Sequence, residues 1–190
     1  MARPRVSSTC SMTRIFKAPD AYVQGRGVMQ DISEYTAELG DSALLIADDV
    51  VLDLVGTDVL DDLEAAGVDV SSVEFQGECS RTEIDRVTAE AEDANADYIV
   101  AAGGGKTLDT AKIVADTLDI GMVSAPTIAS TDAPTSTVAV VYTDHGEFET
   151  VEQVPFNPDL VLVDTEVIAQ APVRFFQAGM GDALATWFEA

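Results

Sequence analysis

Three consecutive glycines followed by a lysine are the residues in this chain best placed to do chemistry. The stretch reads Tyr98-Ile99-Val100-Ala101-Ala102-Gly103-Gly104-Gly105-Lys106-Thr107-Leu108-Asp109-Thr110-Ala111-Lys112. Its apolar run, residues 98–102, suits a strand buried on both faces of a parallel sheet. The glycines lack a Cβ, so the backbone can take positive φ and a ligand can come close to it. From Thr107 the period becomes helical. Leu108, Ala111, Ala115 and Leu118 share one face, and Asp109, Lys112 and Asp116 share another. A glycine turn that opens a helix offers free N–H groups and the positive end of the helix dipole, which together make a seat for phosphate. Lys17, Lys106 and Lys112 are the only lysines, and two of the three lie here. Lys106 stands where an anion would arrive, while Lys112 reads as a surface partner of Asp109 or Asp116.

The glycine spacing does not select a nucleotide motif. Gly105-Lys106-Thr107 fits the end of a Walker A loop, but the position that needs the first glycine holds Val100. The Gly-x-Gly-x-x-Gly fingerprint fails as well, because no third glycine follows at the required spacing. The stretch is either a pyrophosphate-binding strand–turn–helix or a tight turn that binds nothing.

The elements around it are those of an α/β protein. Residues 1–13 read as a loose leader and residues 15–28 as a strand or hairpin. Residues 29–39 read as a helix stopped by Gly40, and residues 43–47 as a buried strand ending at Asp48. A helix over 50–66, a strand over 68–75 and a helix over 81–94 lead to the glycine stretch. The alternation predicts an open, largely parallel sheet. In such sheets ligands sit beyond the carboxyl ends of the strands. Asp48 ends one strand and Gly103–Gly105 end another, so the carboxylate is placed to accept from ribose hydroxyls, or else simply caps the next helix. Residues 121–137 combine a short strand with a loop of small hydroxyl residues that suits polar ligands. Residues 137–142 and 147–151 flank Asp144-His145-Gly146 as a hairpin, with the only histidine at its tip. A buried strand follows at 160–163, and residues 165–190 read as short helices that begin something new.

The charge balance narrows the partners. Thirty-four acids face ten bases in 190 residues, a net charge of −24. Nucleic acid and anionic membrane are therefore excluded as partners. The acids are spread along the expected helices, and 47% of residues are hydrophobic, so this is a folded acidic protein rather than a disordered one. An acidic, lysine-poor surface points to a salt-loving source. No apolar run approaches the roughly 20 residues of a membrane span. No secretion signal is apparent. Cys10 and Cys79 form no disulfide framework, which suits a reducing cytoplasm.

Three stretches match a known family together: 103–112, Pro126-Thr127-Ile128-Ala129-Ser130-Thr131-Asp132-Ala133-Pro134-Thr135-Ser136, and 179–190, which opens Gly179-Met180-Gly181-Asp182. In these, in order and spacing, the chain from residue 15 onward resembles the NAD-dependent glycerol dehydrogenases of the iron-containing alcohol dehydrogenase superfamily. Related glycerol-1-phosphate dehydrogenases carry a histidine before the loop aspartate, where this chain has Thr131 before Asp132. The resemblance implies a Rossmann-like sheet flanked by helices over residues 1–164, with residues 165–190 as the first helices of an all-α metal-binding domain. It implies that Asp48, Gly104, Gly105, Lys106, Thr107, Asp109, Thr127, Ser130, Ser136, Val138 and Tyr142 bind NAD. It also implies that Asp132 contacts glycerol or a similar small diol, and that Asp182 is a ligand to zinc or iron. Asp182 taken alone reads as a helix N-cap. The family's activity is oxidation of glycerol to dihydroxyacetone by hydride transfer at a metal-bound alkoxide, in an enzyme expected to be a homo-oligomer. The two further metal ligands that the family draws from helices have no counterpart here, so the resemblance implies the cofactor half of an enzyme, or a non-catalytic NAD-binding remnant of one.

Overall fold

The computed structural model describes residues 16–189. The expected leader at 1–13, the first residue of the 15–28 segment and Ala190 lie outside the described residues.

Apolar runs too short for a helix pair side by side as parallel strands. The sheet contains β1 (Ala21–Gly25), β2 (Ser42–Ala47), β3 (Asp69–Glu74), β4 (Tyr98–Gly103), β5 (Gly121–Pro126) and β8 (Leu160–Asp164), in the order β1-β8-β5-β4-β2-β3. Every neighbouring pair is parallel. Strand side chains alternate between two cores, as the period-2 geometry requires. Leu45, Tyr98, Val100, Val123 and Leu162 face one layer of helices. Leu44, Ile46, Ile99, Ala101 and Met122 face the other.

The first layer comprises a 3-10 turn (Val28–Asp31), α1 (Ser33–Thr36) and the helical stretch after β2. That stretch runs as α2 (Asp49–Val51), a π turn (Leu52–Gly56) and α3 (Thr57–Ala65), where the sequence suggested one regular helix. Likewise, the helix expected over 29–39 is broken into its 3-10 and α pieces. The second layer is α4 (Arg81–Asp93) and α5 (Gly105–Leu118), docked through Ile84, Val87, Leu108, Ala111 and Val114.

The strands β6 (Val138–Tyr142) and β7 (Phe148–Gln153) stand outside the six-stranded sheet. They form the expected antiparallel hairpin, with His145 exposed at its turn. After β8, Asp164 caps α6 (Thr165–Gln170), accepting from the Glu166 and Val167 N–H groups. Beyond Pro172, α7 (Val173–Glu189) is one long helix of 17 residues rather than a set of short ones. No helix among the described residues is long and apolar enough to cross a membrane.

The segment before the 3-10 turn is a strand and not a hairpin. β1 pairs with β8, Ala21 opposite Leu160. Asp164 fixes this edge: its carboxylate oxygens accept from the Gly27 N–H at 3.1 Å and the Met29 N–H at 3.2 Å.

Candidate functional site

The chain winds outward from β2 to β3, then crosses back to place β4 on the other side of β2. The reversal puts a crevice beyond the carboxyl ends of β2 and β4, where open α/β sheets bind ligands. Asp48 follows β2 directly and Gly104 follows β4 directly. The strands are in register next to both ends, with Ile46 opposite Ala101.

Asp48 is half-buried and caps α2, its Oδ1 accepting from the Val51 N–H at 2.8 Å. The capping reading is thus realised, and the cap holds the carboxylate at the strand end.

The glycine turn is needed for space, not for unusual φ. Gly104 has φ −92° and ψ −174°, and Gly103 and Gly105 are not among the positive-φ glycines either. A Cβ on Gly103 would lie 2.7 Å from Thr107 Oγ1, and one on Gly104 would lie 2.9 Å from Ile128 Cδ1. Gly105 differs. Its Cβ would meet only Ala133 Cβ at 3.6 Å and Thr131 Oγ1 at 3.8 Å, which are ordinary contacts. Packing within the protein therefore accounts for two glycines and leaves the third, at the first residue of α5, as a cradle faced by Thr131 and Ala133 at ordinary contact distance.

The hydroxyl-rich loop folds over this cradle. Thr127 is buried and donates its N–H to the Gly103 carbonyl at 3.1 Å, continuing the β4–β5 register. Ile128, Thr131 and Ala133 then pass beside Gly104 and Gly105. Asp132 lies between the last two and is exposed, with its carbonyl accepting from Thr135. On the far side α7 comes close to the same loop. A Cβ on Gly179 would be 2.2 Å from the Ala129 carbonyl oxygen and 3.4 Å from Ser130 Cα. Asp182 is one turn further along α7, exposed and mid-helix, so it is no N-cap.

Lys106 forms an ion pair with Glu78, and its ammonium lies 5.3 Å from the centre of the Tyr142 ring. Lys112 corrects the surface reading. It does pair with Asp109, Nζ donating to Oδ1 at 2.8 Å, but it is fully buried. It donates also to Ser136 Oγ at 3.1 Å and to the Val138 carbonyl at 2.8 Å. The second oxygen of Asp109 accepts from the Val140 N–H at 3.0 Å. Burial pushes the Asp109 carboxyl upward from its ordinary value, and the neighbouring ammonium opposes that shift. The polar face of α5 is thus a clamp on the hairpin, which brings Ser136, Val138 and Tyr142 to the helix that opens at the cradle. Only Asp116, further along, remains exposed.

Sequence reasoning missed Glu78. It is one of 34 acids, in a loop with no periodicity to mark it. A metal is a poorer match than a dinucleotide. The described residues contain no group of three His, Cys, Asp or Glu side chains able to hold an ion. Asp182 alone does not make a metal site, and His145 sits on the hairpin rather than on α7.

The sequence profile of the iron-containing alcohol dehydrogenases matches residues 19–165. A protein of Halobacterium salinarum named glycolaldehyde reductase is 54% identical over 179 residues, covering 94% of this chain and 49% of that protein. A glycerol dehydrogenase of Pseudomonas putida is 49% identical with the same coverage. The crystal structure of a probable glycerol dehydrogenase from Sinorhizobium meliloti superposes with a TM-score of 0.87 at 45% identity, over 93% of this chain and 48% of that one. The chain spans about half the length of the curated relatives it matches.

Proposed function

The chain belongs to the iron-containing alcohol dehydrogenase family, and we propose that it is the NAD-binding half of an enzyme that oxidises glycerol or a similar small diol. The observation that carries this is that Asp48 and the Gly105 cradle follow the carboxyl ends of the neighbouring strands β2 and β4, at the switch point of the sheet. The N–H groups at the start of α5, with Gly104, Gly105, Lys106 and Thr107, bind the pyrophosphate. Asp48 accepts from the adenosine ribose. Thr127, Ser130, Ser136, Val138 and Tyr142 line the rest of the dinucleotide. Asp109 acts through Val140 and Lys112, as a positioning residue. Asp132, on the loop over the cradle, orients the diol.

NAD held by Asp48 and the N-terminus of α5 would supply the hydride acceptor for oxidation of a carbinol to a ketone, dihydroxyacetone in the case of glycerol, with the hydroxyl proton released. Asp182 would offer one carboxylate to a zinc or iron ion, whose Lewis acidity would favour loss of the substrate hydroxyl proton. Residues 165–190 begin that helical, metal-binding domain, which follows an α/β domain ending at 164. A cytoplasmic, homo-oligomeric full-length enzyme is part of the same reading.

Two alternatives rest on specific observations. The name of the Halobacterium relative suggests reduction of glycolaldehyde, the same hydride moving in the opposite direction. The other is that the chain binds NAD without turnover, since the described residues hold no group of three side chains able to bind a metal ion.

The test is fluorescence titration of the chain with NADH and NADPH. A carboxylate beside the ribose repels a 2′-phosphate, so NADH should bind more tightly. Asp48→Ser keeps an N-cap and removes the charge, so it should weaken NADH binding and narrow the gap. Tighter binding of NADPH by the unmutated chain would overturn the assignment.

A further inference from the structure

Among the described residues, Glu78 is the anion that pairs with the cation of the cradle. Its Oε1 pairs with Lys106 Nζ, and both side chains are partly exposed. Its other oxygen, Oε2, is buried with no donor beside it among the described residues. A carboxylate oxygen shut away from water without a hydrogen bond is poorly accommodated. The backbone around it is nonetheless fixed, since the Tyr142 N–H donates to the Cys79 carbonyl at 2.8 Å and Ser80 bridges to Tyr142. The Glu78 side chain can therefore leave by rotation while its loop stays in place. The Tyr142 ring would keep its hold on the ammonium.

We propose that Glu78 is an internal competitor for the pyrophosphate seat, holding Lys106 until a dinucleotide diphosphate displaces it, and so sets the cofactor affinity of the site. This rests on the assignment of Lys106 to the pyrophosphate. Both anions need the same ammonium, and a carboxylate left beside a bound diphosphate would repel it. Glu78 thus weakens diphosphate binding twice, by occupying Lys106 and by its charge.

The experiment is NADH titration of four chains: unmutated, Glu78→Gln, Lys106→Ala and the double variant, with inorganic pyrophosphate as a second, competing probe. Gln keeps the shape and removes the charge. Glu78→Gln should tighten NADH and pyrophosphate by about fivefold, the top of the range for a partly exposed ion pair. Lys106→Ala should weaken both, and in that background Glu78→Gln should have little further effect. Unchanged or weaker binding by Glu78→Gln overturns the proposal. So does tightening of equal size in the Lys106→Ala background, which would reduce the effect to overall charge. If NADH binds and Lys106→Ala does not weaken it, the pyrophosphate assignment itself fails, a result distinguishable from the first two.

Discussion

Lys112 Nζ lies 2.8 Å from Asp109 Oδ1 with the lysine fully buried, about two helical turns past the glycine cradle. The pair faces the hairpin, and together the two side chains meet Ser136, Val138 and Val140. A fully buried lysine without its carboxylate, or the reverse, is costly. The pair is therefore a joint whose members stand or fall together.

Lys112→Met should destabilise the chain by about 3–5 kcal/mol, the typical cost of leaving one member of a buried pair. Pairing it with Asp109→Asn should recover part of that loss, because the stranded charge is gone. A double-mutant cycle by thermal melting measures this. Simple additivity of the two single effects would show that the pair is not coupled.

Gly105→Ala separates folding from binding. The added Cβ meets only ordinary contacts at 3.6 and 3.8 Å, and alanine is the better residue in a helix by up to about 1 kcal/mol. The melting temperature should hold or rise. The same methyl would intrude on a diphosphate at the cradle, and NADH binding should weaken by about tenfold, at the cost of a typical overpacked contact. An unchanged NADH Kd would remove the ligand from this cradle.

Much of this site was legible in sequence order. The buried strands 43–47 and 98–102 and the loop after β5 are local patterns, and each folded as its pattern implies. The glycine turn was placed correctly for a different reason, since its constraints are Thr107 and Ile128 rather than φ. Lys112 was misread because helical periodicity shows which residues share a face but not what covers that face. The cover here is a hairpin about 25 residues downstream, a non-local contact with no trace in the helix's own period. Glu78 was invisible for a similar reason: its partner lies on a distant element.

Cys79 carries a pH dependence of defined sign. Burial pushes its thiol up from 9.0 to about 11. The native state therefore favours the protonated form. Its contribution to stability is full below about pH 9 and is lost as pH rises through about 11. In a Cys10→Ser background, iodoacetamide at pH 8 should leave Cys79 unmodified until the chain is unfolded. Rapid labelling of the native chain would contradict the buried thiol.

The net charge of −24 predicts salt-dependent stability. Repulsion among carboxylates falls as the Debye length shortens to about 3 Å at 1 M salt. Thermal melts should rise steeply from dilute buffer to molar KCl. A melting point flat or falling with salt would refute a saline setting for this surface.

The pairing of β1 with β8 puts the order of synthesis at odds with the order of assembly. β1 is made early, yet among the described strands its neighbour is β8, which lies between β1 and β5. A chain emerging from the ribosome can join β2, β3, β4 and β5 while β1 still has no partner. Until residue 164 is free, β5 keeps an open edge and β1 is a loose strand, two surfaces that invite pairing with other chains. Insertion of β8 closes both at once, and Asp164 at its end then ties down the Gly27 turn. The described sheet is thus completed by β8, and the wait for that strand is the interval in which this protein is most exposed to misassembly.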